Sequence, residues 1–270
     1  MNRNIHWRHI FFMIFALLLV VAITVASVWP EASGKKKKNN GSLTLDISHT
    51  EDGYVMAKSK SSKKKLKLRV KCSGETVDYD LPLDGSYMVI PLQYGSGKYS
   101  FSLYKNISGK KYSEEGKLSL SFKLENDNAA FLCPNCYVNY TKNSPAVKEA
   151  LKLCKGMTSQ KEIYKTITSY VKKNYQYDYI KMVQVKSGAM PDIDDCYTRH
   201  LGICQDLAAL TCCMLRVNGV PAKFMIGNVN GNLYHAWCTA IVDGEDVFFD
   251  PTAEVGGINK NSSYTLERYY

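Results

Sequence analysis

Histidine is scarce in this chain, with five among 270 residues. His6 and His9 fall in an N-terminal leader and His49 among short alternating strands, so only His200 and His235 remain as general bases. Metal-ligand spacing is lacking too. Cys133-Pro-Asn-Cys136 has no second close Cys or His pair, which a structural zinc site needs. The following YVNYTKNSP does not read as the helix of a thioredoxin-like site. A local disulfide or plain packing is the reading left for that pair. Asp192, Asp194 and Asp195 are too bunched for a calcium loop and read as a solvated acidic loop. No metal and no cofactor is implied. The nine cysteines lack a repeating framework, and their odd number leaves one thiol unpaired. Eight paired cysteines with one reactive thiol would be the simplest division.

Positive charge is present in excess but unevenly. The formal charge is +10, and the segment Lys35–Lys71 alone carries 12 Lys or Arg against 3 Asp or Glu. Aromatic residues are not interleaved with this stretch, so it does not read as a nucleic-acid surface. It suits anionic lipid or anionic wall polymers, or else a solvated linker followed by a charged strand face.

Charge is missing altogether from Ile10–Val28, a run long enough to cross a bilayer as a helix. Arg3 and Arg8 precede it, as in an export signal. Its length favours an uncleaved anchor, with cleavage near Ala26 as the alternative. Lys35–Lys38 just beyond the span pull the other way under the positive-inside rule. The expectation is an anchored protein with extracytoplasmic domains, or a secreted one if the leader is removed.

At 45% hydrophobic and 22% charged, the remainder can bury the cores of two modest domains. Residues 1–31 read as the signal peptide or anchor and residues 32–42 as a basic linker. Across residues 43–126, LTLDIS, KLKLRVKC, YMVIPL, YSFSLY and LSLSFKL alternate with period two between turn residues, which predicts a small all-β sandwich. Residues 127–143 read as a connector. From Ser144 the period becomes helical: Val147, Leu151 and Cys154 form one stripe, and Ile163, Ile167, Tyr170 and Val171 another. Thr158 or Ser159 followed by Glu162 marks a helix start. Lys181 to His200 reads as a long irregular loop. A helix from Cys204 to Val217 then ends at Asn218-Gly219 and Pro221. AKFMIGNV, LYHAWCTAIV and EDVFFD follow as strands, the last two joined at Asp243-Gly244, a hairpin signal. The predicted fold is α+β, helices plus an antiparallel sheet spanning residues 144–270.

Three thiols share the helix that opens at Cys204, but only Cys204 sits in its first turn. There the free N–H groups and the macrodipole favour a thiolate and can hold an oxyanion. Cys212 and Cys213 lie mid-helix and default to packing. His200 is only four residues before Cys204, so His235 is the better base. If Asp243-Gly244 is a two-residue turn, paired positions sum to 487, and Asp250 becomes the diagonal neighbour of His235 on one face. A one-residue slip would turn Asp250 to the opposite face.

Gly202-Ile203-Cys204-Gln205-Asp206-x-Ala208, followed by His235-Ala236-Trp237 and Asp250-Pro251-Thr252, resembles the transglutaminase-like superfamily with its papain-like cysteine fold. The resemblance implies Cys204 as nucleophile, His235 as general base and later acid, and Asp250 as the group orienting His235. Asp206 and Trp237 match motif positions, and Tyr177, then Gln205, are candidates for a side-chain oxyanion donor. The wider chain is similar to membrane-anchored bacterial members with a β-rich domain ahead of this core. The resemblance implies a cell-surface cysteine-dependent acyltransferase or hydrolase acting on a protein or peptide, including cell-wall peptide. The alternative is a non-catalytic wall-binding module that uses the β domain, with the core as scaffold.

Overall fold

The computed structural model describes residues 29–270. The apolar run Ile10–Val28 lies outside them. Among the described residues no helix is long and apolar enough to cross a membrane.

Eight strands build the first half: β1 (Lys37–Asn40), β2 (Leu43–Asp46), β3 (Tyr54–Lys58), β4 (Leu66–Cys72), β5 (Glu75–Asp80), β6 (Met88–Pro91), β7 (Gly97–Ser108) and β8 (Lys111–Phe122). They form two antiparallel sheets, ordered β1-β2-β3-β6 and β5-β4-β7-β8. Alternation drives this arrangement. In β4, Leu66, Leu68, Val70 and Cys72 point inward while Lys67, Arg69 and Lys71 point out.

Three strands depart from the sequence expectation. β1 lies inside the segment read as a linker; its side chains are all exposed and its backbone pairs with β2, a lysine-bearing edge strand. β3 shows no alternation because both its faces are covered. Val55 and Ala57 join the main core, while Tyr54 and Met56 pack with Cys133. In β5 the alternation is masked by polar residues, one of which, Asp78, faces Arg69 across the ladder and bonds it at 2.8 Å.

The second half begins with a 3₁₀ turn at Ala129–Phe131 and continues with α1 (Pro145–Leu153), α2 (Gln160–Asn174), β9 (Gln176–Tyr177), α3 (Tyr179–Gln184), α4 (Ile193–Arg199), β10 (Leu201–Gly202) and α5 (Cys204–Arg216). It closes with β11 (Ala222–Val229), β12 (Leu233–Val242), β13 (Glu245–Phe249), α6 (Pro251–Glu254) and β14 (Tyr264–Tyr269). The antiparallel sheet runs β13-β12-β11-β14. α5 packs against β12 and β11 and is flanked by α1, α2 and α4. Every residue from Asp206 to Arg216 is buried, which makes α5 the axis of this half.

Ser159 caps α2, its hydroxyl accepting from Glu162 N–H. On α1 the buried face is Ala146, Val147 and Ala150, and Leu151 is 42% exposed rather than part of the stripe. Small residues there let the helix backbone approach its neighbours. The expected irregular stretch 181–200 instead contains α3 and α4. Asp178 and Asp192 cap them by accepting from Lys181 N–H and Asp195 N–H. The acidic cluster is therefore a helix start: Asp195 pairs with Arg199, and Asp194 accepts from the Ser144 hydroxyl.

All nine cysteines are unpaired, which overturns both the local disulfide and the division into four bridges and one thiol. The Cys133 thiol donates to Ala130 O, and burial pushes both Cys133 and Cys136 up to about 12. The two halves share one core. Gln93 donates to Tyr269 O, and the Tyr79 and Tyr270 rings meet edge to face at 6.1 Å.

Candidate active site

Cys204 is the first residue of α5, and the chain is led there by a short parallel pair. β10 runs beside β9, with Gly202 opposite Tyr177, and Asp178 N–H donates to Gly202 O at 3.0 Å. Gly202 is required by close approach, since a Cβ there would meet Cys196 Sγ at 2.7 Å and Asp206 Cβ at 3.0 Å. The pair sets Tyr177 beside Cys204. Burial and then the negative charge of Cys204 push the Tyr177 phenol up to about 12. Asp206 N–H and Leu207 N–H donate to Ile203 O, which leaves the N–H groups of Cys204 and Gln205 as the first-turn donors without a helical acceptor.

Asp206 holds this corner together. It is fully buried; Oδ1 accepts from Asp192 N–H, and Oδ2 accepts from Ile203 N–H and pairs with Lys181 Nζ at 2.8 Å. Three segments converge on one carboxylate, so its work is to seat the start of α5. Asp206→Asn should lower stability by roughly 2–3 kcal/mol, read from the urea midpoint, through the loss of charged hydrogen bonds. One N–H of the Gln205 amide donates to Ala189 O, in the loop between α3 and α4.

His235 stands near the start of β12, 2% exposed. The β12–β13 turn has the two-residue form, with φ positive at Asp243 (53°) and Gly244 (88°). The ladder runs from Val242 opposite Glu245 to Cys238 opposite Phe249, a register in which paired numbers sum to 487. Asp250 follows the last paired residue and leaves the sheet as the N-cap of α6. Its Oδ1 accepts from Thr252 N–H at 2.9 Å and Ala253 N–H at 3.4 Å. Oδ2 lies 2.8 Å from His235 Nε2, which leaves Nδ1 for the thiol.

Burial opposes charge on the His235 ring. Hydrogen bonds to Asp250 and Cys204, and the negative charges of both, overcome it and raise the imidazole to about 9. An imidazolium beside a thiol is the arrangement that activates a cysteine nucleophile. Trp237 is buried against this ring, centroids 6.3 Å apart and planes 17° apart, and walls it from water.

The other thiols and histidines are elsewhere. Cys212 and Cys213 are fully buried, and the free thiols of Cys212 and Cys238 share a hydrogen bond. His200 ends α4 in a left-handed conformation with Nδ1 3.1 Å from Asn174 O, and His49 meets Asp52 in the first half.

Sequence reasoning missed Tyr264 of β14, whose hydroxyl donates to Asp250 Oδ2 at 2.6 Å. Nothing local to YTLERY marks it. The capping amides of Thr252 and Ala253 had a signal in Asp-Pro, the pattern of an N-cap followed by proline at N1.

Residues 149–251 match the model of the transglutaminase-like superfamily core, a span that includes Cys204, His235 and Asp250. No curated protein sequence matches the chain. Solved structures that resemble it include the following three. A provisionally named cysteine protease from Cytophaga hutchinsonii is 15% identical with a TM-score of 0.40, over 87% of this chain and 91% of that one. A provisionally named protease from Parabacteroides distasonis ATCC 8503 is 17% identical with a TM-score of 0.36, over 68% of this chain and 37% of that one. A TGase is 19% identical with a TM-score of 0.37, over 58% of this chain and 46% of that one.

Proposed function

We propose that the chain, whose residues 149–251 match the transglutaminase-like superfamily, is a cysteine-dependent acyltransferase or amide hydrolase acting on protein or peptide substrates. The observation that carries this reading is the buried His235, held to Asp250 at 2.8 Å and raised to about 9 by that carboxylate and by Cys204 at the start of α5.

In the proposed cycle the Cys204 thiolate attacks the carbonyl carbon of a substrate amide. The oxyanion forms against the first-turn N–H groups of α5, with the Tyr177 hydroxyl as a further donor beside it. As the C–N bond breaks, His235 gives its proton to the departing amine or ammonia, leaving a thioester on Cys204. Water or an acceptor amine then attacks the thioester carbonyl and loses a proton to His235, and the thiolate leaves. Asp250 keeps the ring oriented through both transfers. Trp237 shields the His235 side, so the balance between hydrolysis and amine transfer depends on how far water is excluded.

We place this activity at the outer surface. The charge-free run Ile10–Val28 after Arg3 and Arg8 supports an export signal or anchor. The lysines from Lys35 to Lys71 support attraction to anionic lipid or wall polymer. Cell-wall peptides are accordingly among the substrates to try.

The test is chemical. Folded protein is treated with a thiol reagent near neutral pH, and the modified cysteine is located by mass spectrometry. It is also incubated with Gln-containing and wall peptides, with and without a primary amine. Cys204 should label far faster than Cys213, and ammonia release or amine incorporation should vanish in Cys204→Ala. Equal labelling of the two thiols, together with unchanged product in Cys204→Ala, would sink the reading.

A further inference from the structure

Asp250 Oδ2 accepts two side-chain donors, His235 Nε2 at 2.8 Å and the Tyr264 hydroxyl at 2.6 Å. The second donor lies on β14, beyond residues 149–251 that match the superfamily. A half-buried tyrosine could satisfy its hydroxyl with water, so its choice of the oxygen that serves His235 calls for an explanation. Its ring is fixed as well, edge to face on Trp237 at 5.2 Å and on Phe248 at 4.9 Å. Its backbone is anchored through β11, with Val229 opposite Tyr264 and Asn230 Oδ1 accepting from Ser263 N–H. The hydroxyl is therefore delivered by a rigid frame.

We propose, building on the acyl-transfer reading, that Tyr264 is a positioning residue: its hydroxyl pins Asp250 Oδ2 in place and takes up part of the negative charge that would otherwise act on His235. The physical argument is competition. A carboxylate oxygen shared by two donors binds each less strongly than it would bind one alone, and charged hydrogen bonds are the strong ones. The titratable groups facing His235 are Cys204 from α5, Asp250 at the N-cap of α6 and Tyr264 from β14 through that carboxylate. Burial and then Asp250 raise the Tyr264 phenol, so it remains a neutral donor while the imidazole titrates.

The frame also explains a use for the first half of the chain, which supplies none of the reacting groups. The far end of β14 is held by the sandwich, where Gln93 donates to Tyr269 O and the Tyr94 and Tyr269 rings meet at 6.2 Å. The placement of Tyr264 is thus set from both halves.

The experiment follows His235 directly by NMR titration of its ring nitrogens in the full chain, in wild type, in Tyr264→Phe and with 3-fluorotyrosine at position 264. The phenylalanine variant should move the His235 midpoint upward and lower kcat roughly tenfold with KM unchanged, since positioning is felt in the chemical step. Fluorotyrosine keeps the ring and donates more strongly, so it should move the midpoint downward. A midpoint common to all three proteins overturns the proposal, as does a loss confined to KM. The titration needs no substrate. A wild-type chain that turns nothing over would refute the acyl-transfer reading, while the His235 midpoints would still decide whether Tyr264 competes for Asp250.

Discussion

His235→Ala is expected to lower kcat/KM for thioester formation by on the order of 10⁴-fold or more while leaving the protein folded. The size follows from the double duty of the ring: it keeps the thiol ionised before attack and protonates the leaving nitrogen during it. Folding should survive because the buried partner is not left bare. Asp250 retains the amides of Thr252 and Ala253 and the Tyr264 hydroxyl. Steady-state kinetics and a urea melt on the same preparation give the two readouts. A loss of less than tenfold in a folded variant would show that another group carries the proton.

The same residue predicts a pH dependence. His235 is raised from 6.5 to about 9 in the folded chain. A group raised on folding contributes stability that is fully present below its unfolded value and disappears as pH rises through its folded value. The His235 contribution should therefore be complete below about pH 6.5 and fade towards pH 9. Activity should fall over the upper part of that interval, as the imidazolium loses the proton it must donate. In His235→Ala this segment of the stability–pH curve should be flat.

The largest effect on stability is expected at Arg216, the last residue of α5. It is 1% exposed. Its guanidinium donates to the main-chain oxygens of three residues: Ala222 O at 2.9 and 2.7 Å, Cys133 O at 2.7 Å and Tyr270 O at 2.9 Å. These belong to β11, the connector and the residue after β14, so one planar fork ties α5 to three distant segments. Arg216→Met fills much of the same volume but leaves the carbonyls short of a donor, at about 1–3 kcal/mol each. Tyr270 O keeps a second bond from Phe224 N–H, which softens one of the three losses. The expected cost is roughly 3–5 kcal/mol, a large share of a typical domain's stability. It is measured as a fall in the urea midpoint, and Arg216→Lys should lie between the two because it keeps charge without the fork. A Met variant with a wild-type midpoint would show that the carbonyls find other partners.

Much of the second half was legible because its signals are local. Gly219 just past α5, Ser159 ahead of α2 and Asp243-Gly244 between β12 and β13 act within a few residues of themselves. The turn fixes register, and register decides which face His235 occupies and where Asp250 emerges. The position of Cys204 at a helix start could be read from the same kind of evidence. Reading failed where local signals were hidden or answered to distant atoms. β3 lost its alternation because both faces are covered, and β1 pairs only through its backbone. The acidic run after Asp192 read as a loop although its cap is local, Asp192 accepting from Asp195 N–H; the carboxylate that holds Asp192 N–H belongs to Asp206 on another segment.

The sequence by itself determined the change from strands to helices near Ser144, the helix that starts at Cys204 and the two-residue turn, since caps, alternation and turn chemistry depend on neighbours along the chain. Tertiary structure alone decided what completes the site. A two-residue parallel pair sets Tyr177 within the electrostatic reach of Cys204, Asp206 gathers three segments, and Tyr264 shares Asp250 with His235. Each of these contacts joins side chains on separate elements, and no pattern within a strand or helix encodes which remote oxygen a hydroxyl will find.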